Sequence, residues 1–129
     1  MFKHIMEAFL DTNFIISCMK KKIDFISQLE NLGFKIAIPR EVLHELKDLR
    51  LKVKREEKIA IDLALKMVEN NGKIKKSGLS ETESVDKQLI KIGREQGVYI
   101  ASLDSEVKRN VPNRVVISNS GNKLIVERD

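Results

Sequence analysis

The chain has 129 residues, enough for a single domain (residues 1–129) whose core needs no disulfide or structural metal. Lys and Arg number 24 against 19 Asp and Glu, a net charge of +5 that points to polyanionic partners. The one cysteine, Cys18, excludes an internal disulfide and suits a reducing compartment, so a cytoplasmic location is expected. No apolar run is long enough to span a membrane, and the segment Met1–Glu7 is too short and polar for a signal peptide.

Glu7–Leu10 reads as a first strand, followed by helical patterns over Phe14–Met19 and Ile23–Leu32, the second stopped by Gly33. Phe34–Ile38 is a second strand. Pro39 ends it and opens a helix with Val42, Leu46 and Leu49 on one face, and a basic turn leads to another helix over about Glu56–Glu69. Lys73–Lys76 is a weak edge strand. Ser80-Glu81-Thr82-Glu83 has the form of a capping box, and the helix it starts is expected to run to Gln96 and stop at Gly97. A strand at Val98–Leu103, a short helix at Ser105–Asn110, a strand at Val115–Ile117, a turn at Asn119–Asn122 and a last strand at Lys123–Val126 complete the chain. Alternating strands and helices define an α/β fold built on a parallel sheet.

Two apolar strands run straight into aspartate, at Asp11 and Asp104. In an open α/β sheet the carboxyl ends of strands bound the ligand crevice, and acids converging there call for a cation. Helical phase adds two more. Glu45 lies on the edge of the Val42–Leu49 stripe, and Asp86 aligns with Leu89, Ile90 and Gly93, which should leave both carboxylates partly desolvated. Four acids on four elements around one switch point suit one or two hard divalent ions, Mg²⁺ or Mn²⁺. Taken singly, each acid also has an ordinary structural use, as a helix cap for the aspartates or a salt bridge for the helical acids.

Asp11-Thr12-Asn13, Glu45, Asp86 within Ser-Val-Asp-Lys-Gln-Leu-Ile, and Ala101-Ser102-Leu103-Asp104 followed by Ser-Glu-Val-Lys-Arg together resemble the PIN domains, a family of metal-dependent ribonucleases. The resemblance spans essentially the whole chain and is strongest to the PIN nucleases of small-subunit ribosomal RNA processing. It implies a three-layer sandwich with a central parallel sheet flanked by helices. It further implies that Asp11, Glu45, Asp86 and Asp104 are the metal ligands and catalytic acids, that Thr12 and Asn13 orient them, and that Ser102 takes the place of the small hydroxyl residue preceding the last acid. Leu103 departs from the polar residue often found there.

The resemblance makes RNA the substrate, and ribosome-assembly proteins, an antitoxin or a second copy of the chain the partners. The rival functions are a VapC-type toxin ribonuclease and a noncatalytic RNA-binding PIN domain. Lys47, Arg50, Lys54 and Arg55, around the turn between two helices, are the candidate RNA contacts. A haloacid-dehalogenase phosphatase would need an acid where Asn13 stands, and no glycine-rich phosphate loop is present. His4 and His44 lack partners for zinc, and Cys18, among Phe14, Ile15, Ile16 and Met19, is expected in the core.

Overall fold

A computed structural model describes residues 6–77 and 83–129. The elements are β1 (Met6–Leu10), α1 (Thr12–Lys20), α2 (Phe25–Asn31), β2 (Phe34–Pro39), α3 (Arg40–Arg50), α4 (Arg55–Glu69) and β3 (Lys75–Ser77), followed by α5 (Val85–Gln96), β4 (Tyr99–Ala101), α6 (Ser105–Asn110), β5 (Asn113–Ile117) and β6 (Leu124–Arg128). They form one sheet in the order β3-β2-β1-β4-β5-β6. Its first five strands are parallel, and β6 returns antiparallel to β5. The reversal has a local cause: only Ser118–Lys123 join the two strands, too few residues for a parallel crossover.

Period-two alternation in the inner strands builds the three layers expected from the sequence. Ala8 and Leu10 of β1, Ile36 and Ile38 of β2, and Tyr99 and Ala101 of β4 meet Phe14, Phe25, Leu29, Leu46 and Ile61 from α1 to α4. The residues between them, Phe9, Ala37 and Ile100, point the other way, onto Leu89 of α5 and Val107 of α6. Cys18 belongs to the first layer, fully buried, and burial pushes its thiol pKa up to about 12, which makes it an inert core residue.

Helix ends follow the residues that stop them. Gly97 terminates α5 with φ of +68°, a conformation that costs an L side chain about 1 kcal/mol. Pro39 precedes the first turn of α3 as its N-cap residue and also closes β2. One boundary differs from the sequence expectation. Ser84, not Ser80, caps α5 by accepting a hydrogen bond from the Lys87 amide, so the helix begins later and Asp86 stands in its first turn. Of the anticipated capping box, Ser80, Glu81 and Thr82 lie outside the described residues, as does His4.

Gly93 sets how closely α5 approaches the sheet. A Cβ there would lie 2.9 Å from Val111 Cγ1 and 3.1 Å from Ile100 Cγ1, inside contact distance of two buried side chains. Gly93→Ala should therefore destabilise the fold by about 1–3 kcal/mol, despite alanine's better helix propensity. Urea unfolding would test this; an unchanged or raised midpoint would contradict the packing assignment.

Candidate active site

Strand order reverses between β1 and β4, and the acids gather at the carboxyl edge there. The pairing of Leu10 with Ala101 places the next residues of the two strands, Asp11 and Ser102, side by side. The Asp11 amide donates to the Ala101 carbonyl at 3.0 Å, and the Ser102 hydroxyl donates to Asp11 Oδ2 at 3.2 Å. That same hydroxyl accepts from the Asp104 amide at 3.1 Å. Ser102, fully buried, is thus the link between Asp11, at the end of β1, and Asp104, which caps α6 beyond a β4 that ends at Ala101 and not at Leu103 as the sequence suggests.

On the other side of Asp11, the Thr12 amide donates to Asp11 Oδ1 at 2.8 Å while the Thr12 hydroxyl donates to Glu45 Oε2 at 3.0 Å. Glu45 is the sixth residue of α3, and this bond turns its carboxylate toward α1 although the residue as a whole is exposed. Glu45, Thr12, Asp11, Ser102 and Asp104 therefore form one continuous polar network. Asp86 joins it through space. Helix α5 starts at this edge because it must run down the sheet to Gly97 before β4 can run back up.

Burial raises the Asp11 pKa above the ordinary carboxylate value. Its bonds to Thr12 and Ser102 oppose that rise, and the charges of Glu45 and Asp104 add to it. The Asp86 pKa is also raised, first by desolvation and then by Asp11, Asp104 and Glu106. Helix termini offset part of this crowding. Asp11 caps α1, and Asp104 caps α6 with its Oδ1 accepting from the Glu106 and Val107 amides at 2.8 and 3.2 Å, where the exposed N–H groups favour negative charge.

Among the described residues, no three acid, histidine or cysteine side chains stand close enough together to chelate an ion as they are placed. In chemistry the set nonetheless fits a hard divalent cation. All four donors are carboxylates, two have pKa values raised first by burial and further by neighbouring acids, whose repulsion a cation would relieve, and Glu45, Asp86 and Asp104 are exposed enough to change rotamer.

Beside Asp104 opens a cleft of about 470 Å³ between α1 and the α3–α4 turn. Asn13, Ser17 and Lys20 form one wall, Leu49, Val53 and Glu57 the other, and Leu103 lies at its end. The walls are tied by Lys20 and Glu57 at 2.9 Å. Asn13 is exposed in this cleft, and among the described residues it makes no side-chain hydrogen bond to the acids. Lys47, Arg50, Lys54 and Arg55 are all exposed, but the Arg50 guanidinium is held by both oxygens of Asp62. His44 is also exposed.

Residues 8–118 match the family model described as a PIN like domain. The chain belongs to the PIN-like domain family. It is similar to Ribonuclease VapC9 of Archaeoglobus fulgidus, with 32% identity over 109 residues that cover 83% of this chain and 76% of that protein. In fold it resembles the PIN domain endonuclease Utp24, with a TM-score of 0.70 and 20% identity over 95% of this chain and 92% of the other. It also resembles a chain of VapBC2 from Rickettsia felis, solved with a DNA fragment from its promoter, with a TM-score of 0.51 and 18% identity over 81% and 93% of the two chains. The network of Asp11, Glu45, Ser102 and Asp104 thus lies at the carboxyl edge of a PIN-like sheet. Glu106 is an acid that sequence phase does not single out; its position two residues after the N-cap of α6 is the available signal.

Proposed function

We propose that this protein is a divalent-metal-dependent endoribonuclease of RNA maturation, such as that of ribosomal RNA, acting in the cytoplasm. The observation that carries this reading is the hydrogen-bonded series Glu45, Thr12, Asp11, Ser102, Asp104 at the switch point of a PIN-like sheet. Asp11 and Asp104 would hold the principal ion, Mg²⁺ or Mn²⁺, and Glu45 and Asp86 would complete its shell or position water. The chemistry supplied by such an ion is activation of water and neutralisation of phosphoryl charge. The protein's own part is orientation: Thr12 fixes Glu45, and Ser102 holds Asp11 against the Asp104 backbone. Asn13 and Leu103 shape the wall along which RNA would approach.

Gel-resolved incubation with structured RNA tests the proposal: cuts in Mn²⁺ or Mg²⁺ that stop on chelation support it. Tight, salt-sensitive binding without cleavage under any divalent ion would favour a noncatalytic RNA-binding PIN domain of a ribosome-assembly complex. A second enzymatic reading, a VapC-type toxin restrained by an antitoxin, is favoured by the similarity to VapC9. A small antitoxin gene beside this one would support it.

The basic rim gives a separate expectation. Neutralising Lys47, Lys54 or Arg55 should flatten the dependence of log affinity on log salt by about 0.7–0.9 for each phosphate that the side chain engages. Arg50 should contribute less, since its guanidinium is already occupied by Asp62. Salt titrations of charge-neutralised variants measure both effects, and an Arg50→Gln change as large as the others would contradict the ion pair's role.

A further inference from the structure

A second cationic surface lies outside the acid site. Two shallow clefts, of about 330 and 320 Å³, share Arg109 and Asp129. The first begins at Ser105, next in the chain to Asp104, and passes Lys108; the second ends at Arg94, near the end of α5. Together they follow α6 from the acid site to the opposite edge of the sheet, where α5 ends and β5 begins.

The charges along this path are unevenly matched. Glu127 and Asp129 are the acids that line the two clefts, Glu106 of α6 acting instead on Asp86, and Arg114 engages Glu127 through Nε at 3.2 Å and Asp129 through Nη2 at 3.0 Å. Arg114 Nη1 also donates to the carbonyls of Val111 and Lys108, at 2.9 and 3.3 Å, pinning the end of α6 to the β5–β6 hairpin. The acids are therefore already paired with Arg114. Arg94, Lys108 and Arg109 stand over them with no side-chain hydrogen bond or ion pair among the described residues. Three cations unpaired among the described residues, above acids already paired with Arg114 and in line with the proposed phosphodiester-cutting site, suit a run of phosphates.

We propose that the surface along α6, carrying Lys108, Arg109 and Arg94, binds the phosphodiester backbone of the RNA strand on one side of the cut. The proposal rests on the reading that RNA lies across the acids. Six helical residues span about 9 Å, and a stacked strand advances about 3.4 Å per nucleotide, so the track would hold about three nucleotides.

The test compares wild type, an Arg94→Gln/Arg109→Gln double variant and a Lys35→Gln/Lys73→Gln control that loses the same charge elsewhere. Binding of an adenosine 12-mer, which stacks, is titrated with salt in EDTA. The double variant should flatten the slope by about 1.4, the value for two contacts to a single strand, and weaken low-salt affinity about tenfold. The control should keep a wild-type slope, and all three proteins should melt together. In Mn²⁺, trimming the substrate to fewer than three nucleotides on one side of the mapped cut should raise KM for wild type and leave the double variant unchanged.

A double variant with the slope of the control would overturn the track even if wild type cleaves RNA. A flattened slope in a protein that never cleaves would leave the track standing and remove the nuclease reading. Equal loss of affinity in the variant and the control would assign the effect to net charge and refute the proposal.

Discussion

Asp104→Asn is expected to abolish Mn²⁺-dependent RNA cleavage, by about a thousandfold or more, while changing RNA affinity little. The side chain has two jobs. Its Oδ1 caps α6 by accepting from the Glu106 and Val107 amides, and an asparagine oxygen does that equally well, so the fold is preserved. What the variant loses is the negative charge facing Asp11 and Asp86, and that crowding of charge is the reason a cation would be held there. Loss of metal-held transition-state stabilisation is worth several kcal/mol, and each ~1.36 kcal/mol is a factor of ten in rate. Affinity should survive because the cations around the site attract RNA independently of the acids. Asp104→Ala is a useful contrast: it removes the cap as well and should cost about 1 kcal/mol of stability. Cleavage unaffected by Asp104→Asn would point to a contaminating nuclease and leave the assignment without support.

Asp11 is legible in the sequence because β1 is a short buried apolar run that ends at Leu10 as expected, whereas β4 stops at Ala101, short of the expected Leu103, and Asp104 stands beyond the strand as the N-cap of α6. The register of β1 with β4 then brings Asp11 and Ser102 together without further information. Helical phase places Glu45 on the rim of an apolar stripe, and the residue is exposed there, with only the end of its side chain turned inward to the Thr12 hydroxyl. Asp86 lies on the helix that the sequence assigns to it, but nearer the N-terminus than the pattern suggests. Ser80 and Ser84 are both followed three residues later by a residue whose amide can be capped, and local chemistry alone does not choose between them. In the sequence Arg50 looks like one of a group of free cations, because its partner, Asp62, lies 12 residues away on α4 and meets it only when the two helices pack. Arg114 carries no sequence signal at all. Its binding of two acids and two carbonyls depends on the β5–β6 register and the end of α6, which no local pattern encodes.

Without metal at neutral pH, Asp11→Asn should melt at or above the wild-type temperature and should respond much less to Mn²⁺. Burial, with the charges of Glu45 and Asp104, holds the folded pKa of Asp11 above its unfolded value, so the folded state binds a proton more tightly than the unfolded one. The metal-free wild type therefore carries a penalty when Asp11 is ionised, fully present above the raised folded pKa. That penalty fades as pH falls through the folded pKa toward the unfolded value. Asparagine removes it while keeping an oxygen for the Thr12 amide, and its amide nitrogen can donate to Ser102 Oγ in place of the present bond. The stability gap between variant and wild type should thus close on acidification. Metal acts in the opposite sense. A ligand at about 100 times its Kd stabilises the folded state by about 2.7 kcal/mol, which for a domain of this size is a rise in Tm of several degrees. Wild type in millimolar Mn²⁺ should show such a rise and Asp11→Asn only a fraction of it. Thermal melts at several pH values, with and without Mn²⁺, measure both effects, and a wild type indifferent to the ion would argue against a metal held by these four carboxylates.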